Sequence, residues 1–220
     1  VDKIRVLCWS ERTEPPNVYP NGINGAIAES LNRHKDVSAR TASISDPEQG
    51  LTMNALREAE VLIWWGHAKH GEVRDDLVDR VVKRVRNDGM GFIPVHSAHY
   101  SKPFKVLTGM PCDLGGWREK GEWERIKVMD PNHPIARGIS DFTIPRDEMY
   151  KEPFGIPEPE ALVFQSTFEG GEWFRSGVAF TFGKGRVFYF RPGHETFPVM
   201  MDKNVQKVLY NAVLWAAHRT

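Results

Sequence analysis

Three short apolar runs, each followed at once by polar residues, constrain the fold of this chain more than any other feature. Ile4 to Trp9 carries one Arg among apolar residues, Val61-Leu62-Ile63-Trp64-Trp65 is apolar throughout, and Gly91 to His96 is interrupted by Pro94, which removes a ladder donor. A short run that is apolar on both faces reads as a strand inside a parallel sheet, with helices over both sides.

Helical patterns separate these runs. After Pro15, Pro16 and Pro20, Asn21-Gly22 leads into Ile23, Ile27, Ala28 and Leu31 on one helical face. Val37 to Ser43 is predicted as a weakly alternating strand and Met53 to Ala59 as a short helix. Between Val73 and Asn87, the residues Leu77, Val78, Val81, Val82 and Val85 recur at helical spacing, and Gly89 suits the helix stop. Such alternation to about residue 110 requires right-handed crossovers, so the expected fold is α/β: a three-layer, doubly wound (flavodoxin-like), mostly parallel sheet.

Beyond Cys112 the texture changes. Trp123 to Met129, Ala161 to Phe168, Gly177 to Phe182 and Arg186 to Phe190 are predicted strands, with Phe182-Gly183-Lys184-Gly185-Arg186 as a hairpin turn. An antiparallel extension is expected here, and Asp202 to His218 closes the chain as a helix. At 220 residues, the length suits one domain over 1–220.

Charge and cysteine content exclude several partners. Lys plus Arg (29) balance Asp plus Glu (29) with no block of one sign, so nucleic acid is not expected as a partner. No stretch approaches the roughly 20 apolar residues of a membrane span. Cys8 and Cys112 have neither metal nor redox spacing, which fits a reducing compartment and predicts a cytoplasmic protein. No Walker or dinucleotide fingerprint follows the first strand, so no nucleotide cofactor is expected. Apolar aromatic residues could serve a homo-oligomer interface.

In open α/β sheets, ligands collect past the carboxyl ends of the strands. There the chain places Gly66-His67-Ala68-Lys69-His70, His96-Ser97-Ala98-His99 and Arg191-Pro192-Gly193-His194-Glu195. One such histidine alone is more often a hydrogen-bonded structural residue than a ligand. Recurrence at three equivalent positions points to a divalent transition metal, above all zinc, whose catalytic sites commonly take three protein ligands. A carboxylate often completes such a site, and Asp147-Glu148-Met149-Tyr150 is expected in a loop that folds back over the strand ends, unless these are surface charges. Trp64, Trp65, Trp117, Trp123 and Trp173 could stack on a sugar ring, with core packing the commoner role. His133, in Asp130-Pro131-Asn132-His133-Pro134-Ile135, reads as a turn residue.

Taken together, Gly66-His67, Pro94-Val95-His96-Ser97-Ala98, Asn132-His133-Pro134-Ile135, Asp147-Glu148-Met149-Tyr150 and Gly183-Lys184-Gly185-Arg186-Val187-Phe188-Tyr189 leading to Gly193-His194 resemble the ThuA-like, trehalose-utilisation family. The resemblance spans nearly the whole chain and implies the fold of class I glutamine amidotransferases. In that superfamily a nucleophilic cysteine sits on a strand-to-helix elbow and a histidine follows a late strand. Here His96 aligns with the cysteine, or Ser97 if the elbow is offset by one, and His194-Glu195 stands for the late His-Pro-Glu. Thiol chemistry is therefore not expected, and Cys112 falls too late to replace it. Carried over by motif, the resemblance implies His67, His96, Glu148 and His194 as site residues, with Ser97, Asp147, Tyr150 and Glu195 as second choices. It also implies a role in catabolism of trehalose or related disaccharides, on a sugar or keto-sugar derivative.

Three functions remain open at this point. One is a metal-dependent sugar-modifying enzyme with His67, His96, His194 and Glu148 as ligands, in which Glu148 or His194 moves a proton. Another is a metal-free hydrolase or amide-transfer enzyme with Ser97 as nucleophile, His194 as base and Glu195 as orienting acid. The third is a non-catalytic sugar-binding or regulatory protein on the amidotransferase scaffold.

Overall fold

The apolar runs fold as strands whose side chains alternate between two separate cores, in a computed structural model that describes residues 2–220. The strands are β1 (Ile4–Ser10), β2 (Val37–Ser43), β3 (Val61–Gly66), β4 (Gly91–His96), β5 (Gly116–Val128), β6 (Phe142–Lys151), β7 (Ala161–Phe168), β8 (Trp173–Phe182) and β9 (Gly185–Phe190). The helices are α1 (Ile23–Leu31), α2 (Met53–Glu58), α3 (Asp75–Asp88), α4 (Lys102–Thr108) and α5 (Lys203–Ala216). Among the described residues, these nine strands join one sheet in the order β2-β1-β3-β4-β9-β8-β7-β5-β6.

Val6, Cys8, Ile63 and Trp65 face α1 and α5, while Leu7, Trp9, Leu62 and Trp64 face α2, α3 and α4. Both faces of the central strands are thus dry, which is why these sequences run apolar without alternation. Gly89 ends α3 as expected: at φ +79 it occupies the left-handed region, and the turn's N–H groups reach the carbonyls of Arg84 and Val85. Pro94 sits in the middle of the sheet, and the recorded pairing of β4 with β9 falls at Phe92 and Val95 on either side of it.

The sheet is not mostly parallel, which corrects the sequence expectation. Pairings β1·β2, β1·β3, β3·β4 and β4·β9 are parallel, whereas β8·β9, β7·β8, β5·β7 and β5·β6 are antiparallel. The antiparallel part is therefore as large as the parallel part. The hairpin at Gly183-Lys184 forms as expected, with Phe182 opposite Gly185. The unforeseen element is β6, which contains Asp147, Glu148 and Tyr150; these residues are strand, not an overlying loop. Its Pro and charges read as irregular chain, yet Asp147, Glu148, Met149 and Tyr150 are all buried.

An ion cluster inside the protein explains how charged residues can occupy β6. Arg191, at the end of β9 and fully buried, bonds Asp147 at 2.7 Å and also reaches Glu124 on β5 and the carbonyl of Glu148. Ser166 on β7 donates to Glu124. The cluster ties the parallel part of the sheet to the antiparallel part. Among the described residues no helix is long and apolar enough to cross a membrane.

Removing one partner of a buried ion pair leaves the other charges uncompensated, at a cost of about 3–5 kcal/mol. Arg191→Met should lower the stability measured by urea unfolding by that amount. A loss under about 1 kcal/mol would mean that the cluster is not what joins the two parts.

Candidate functional site

Four elements deliver the candidate residues to one point. His67 follows β3, His96 ends β4, Glu148 lies on β6, and His194 follows β9. One ligand atom from each can be chosen so that all lie within 4.8 Å of one another. The ring centroids of the three histidines are 4.9–5.4 Å apart.

The backbone at His96 is unusual. It has φ 61 and ψ −126 and passes directly into a short 3-10 turn. A left-handed φ on a non-glycine residue at a strand end is the geometry of a nucleophile elbow, and holding it costs on the order of 1–3 kcal/mol. The elbow is thus centred on His96, not on Ser97. An imidazole stands where that geometry would present a nucleophile.

Each histidine is oriented through its Nδ1. His67 Nδ1 donates to Glu195 Oε1 at 2.6 Å, and His96 Nδ1 donates to the carbonyl of Arg191 at 3.3 Å. His194 Nδ1 lies 2.8 Å from Thr196 Oγ1 and accepts the backbone N–H of Thr196 at 3.3 Å. An ion at His194 Nε2 would need the ring proton on Nδ1, which would then donate a hydrogen bond to Thr196 Oγ1 and give up the bond it accepts from the Thr196 N–H. Outer partners of this kind fix the tautomer and direction of metal-binding imidazoles.

Backbone contacts hold the supporting loops. Glu11, buried just past β1, accepts the N–H groups of His67, Ala68 and Lys69 on Oε2 at 2.9, 2.7 and 2.9 Å. Asp147 accepts the N–H groups of Gly193 and His194 at 2.9 and 3.0 Å. Two buried carboxylates therefore set where His67 and His194 leave the backbone.

The inner atoms, by contrast, lack partners. His96 Nε2 is 3.2 Å from Glu148 Oε2, and His194 Nε2 is 3.1 Å from Glu119 Oε1, without the alignment a hydrogen bond needs. With Nδ1 of His96 donating outward, its Nε2 presents a lone pair to a carboxylate. Orphaned buried polar atoms are costly, and here three of them, His96 Nε2, Glu148 Oε2 and His194 Nε2, belong to the converging residues. Three imidazoles and one carboxylate form a donor set of the kind that zinc takes.

A pocket of about 210 Å³ opens onto the cluster, with His67, Ser97, Trp117, Glu119, Glu148 and Tyr150 in its wall. Trp117 is 64% exposed at this pocket, while Trp64 and Trp65 are core residues. Trp123 and Trp173 are partly exposed but do not line it.

The alternative relay is not assembled. Ser97 Oγ pairs with the Tyr150 hydroxyl, and Glu195 orients His67. His194 contacts Thr196, Glu119 and the far oxygen of Glu195 at 3.7 Å, so no series runs from Ser97 through His194 to Glu195. Cys112 is tied to Thr108 and Met110. His133 caps a turn, as its sequence suggests, by accepting the N–H of Ile135. Sequence reasoning missed Glu11, Glu119 and Thr196. Glu11 follows the first strand directly and was within reach of the same strand-end rule.

Burial lowers the pKa of His67, but the hydrogen bond and charge of Glu195 outweigh it and raise the value above that of a free histidine. Burial acts to raise Glu195, yet its bond to His67 brings it down to about 2. In the metal-free protein, Glu195→Gln removes the strongest influence that raises the His67 pKa, so its midpoint followed by NMR should fall. An unchanged midpoint would show that Glu195 does not govern this ring.

A family model described as ThuA, trehalose utilisation, matches residues 5–216. A protein from Parabacteroides merdae described as ThuA-like superimposes with a TM-score of 0.70 at 15% identity, over 98% of this chain and 90% of that one. A cytoplasmic protein from Salmonella typhimurium gives 0.63 at 14% identity, over 96% and 98%. A glutamine amidotransferase from Thermotoga maritima gives 0.63 at 14% identity, over 99% of both chains. At such identities the structural matches speak for the fold alone. No match was found among curated protein sequences.

Proposed function

The chain belongs to the ThuA, trehalose-utilisation, family, and from that premise we propose that it is a metal-dependent enzyme acting on a sugar or keto-sugar derived from trehalose or a related disaccharide. The observation that carries this reading is the hydrogen bonding of three histidines through Nδ1, together with the convergence of one ligand atom from each of them with Glu148. Zinc is the ion we assign to His67, His96, His194 and Glu148. When bound, it would supply Lewis acidity toward a carbonyl or hydroxyl oxygen of the substrate.

The chain's own residues do the rest. Trp117 offers an exposed aromatic face on which a sugar ring can stack. The hydroxyl pair of Ser97 and Tyr150 gives the pocket wall a group that can both donate and accept. Glu11, Glu195 and Asp147 keep the imidazoles from reorienting as substrate enters. The serine hydrolase reading loses support because Ser97 has Tyr150, not a histidine, as its partner.

Elemental analysis of untagged protein, washed free of weakly held metal, should find close to one equivalent of zinc. His96→Ala, His194→Ala and Glu148→Ala should each lose it. Because the ion binds the folded chain, zinc at a thousand times its Kd should stabilise the protein by about 4 kcal/mol, lost on chelation. A wild-type protein that takes up no transition metal would overturn the metal reading.

A further inference from the structure

Glu119 reaches the pocket through an irregularity in the sheet. Arg118 pairs with Met149 and Glu122 with Asp147, so Glu119, Lys120 and Gly121 on β5 stand opposite the single residue Glu148 on β6. A bulge of this kind bends the strand and re-aims a side chain, and bulges are common beside active sites. Two features hold it. Gly121 has φ +72, with a Cβ position 2.6 Å from the Phe197 ring, so other residues are disfavoured there. Arg118 bonds Glu122 at 2.6 and 2.7 Å and Glu172 at 2.6 Å, bracing the strand beside the bulge.

The carboxylate so placed is 45% exposed by side chain, and its Oε1 lies 3.1 Å from His194 Nε2. With Glu148 it gives the pocket wall two carboxylates, and the wall contains no Lys or Arg. Cations do lie over two rings of the wall. Arg191 is over Tyr150 but is already matched by Glu124 and Asp147, and Lys105 rests over Tyr100. With Glu148 held to a bound ion, a phosphorylated or carboxylated ligand moving toward that ion would still meet the Glu119 carboxylate, and no Lys or Arg lines the wall to offset its charge. An uncharged polyol would find hydrogen-bond acceptors in the same groups.

We propose that Glu119 is a specificity-determining residue that restricts the site to uncharged sugars and excludes phosphorylated or acidic ones. The proposal rests on reading the pocket as a sugar site beside a metal ion. It adds the substrate's charge class and the residue that sets it. Discrimination of this type comes from placing a like charge where the wrong ligand would bind.

Inorganic phosphate is the probe. Its affinity would be measured by calorimetry for zinc-loaded wild-type protein, Glu119→Gln and Glu119→Lys at low ionic strength, with zinc content and Tm recorded for each. Phosphate should bind the Gln variant at least tenfold more tightly than wild type, and the Lys variant more tightly still, when affinities are compared at equal zinc occupancy. Raised salt should narrow the differences. Equal phosphate affinity across the three proteins would overturn the proposal. If none of them takes up zinc, the metal reading fails; the same titrations on metal-free protein then decide the charge exclusion, the ordering supporting it and equal affinities ending it.

Discussion

The buried guanidinium of Arg191 is the constraint on which the rest of the structure depends. It sits where the last parallel strand ends, and its two carboxylate partners come from β5 and β6 on the far side of the sheet. Two carboxylates share one cation, and burial with that crowding raises Glu124 to about 7 despite the opposing pull of Arg191. Asp147 does more than neutralise. Its oxygens also accept the N–H groups of Gly193, His194 and Glu148, so the interaction that joins the two parts of the sheet also sets the backbone under two of the four converging residues.

The parallel part of the fold was legible because burial on both faces leaves a direct trace in composition. Val61 to Trp65 could be little else than a central strand, and the three histidine-bearing segments followed from the rule that sheet sites lie beyond strand ends. The second half was harder to read. Strand β6 breaks the alternation that marks a strand, because Asp147 and Glu148 are buried by partners outside it, Arg191 being 44 residues away in sequence. No local window contains that information. The result was a sheet expected to be mostly parallel and a loop expected where there is a strand.

Glu148 was nonetheless selected, through the family motif, while Glu119 was not. In sequence, Arg118-Glu119-Lys120 is a charged stretch like many surface hairpins. What separates Glu119 from its neighbours is the register of β5 against β6, a property of two strands together. Its neighbours Arg118 and Glu122 are spent on each other, which leaves Glu119 as the carboxylate turned toward His194.

The elbow shows how backbone geometry fixes where a side chain is presented. A strained residue after a central strand aims its side chain into the space above the sheet, whatever that side chain is. In this chain the residue is His96, whose Nδ1 is committed to the Arg191 carbonyl and whose ring stacks between Trp65 and Tyr150. Such a ring cannot turn to act as a mobile base, and its one remaining nitrogen points at Glu148. Serine at the next position is captured by Tyr150, so the hydroxyl nearest the elbow is not activated either.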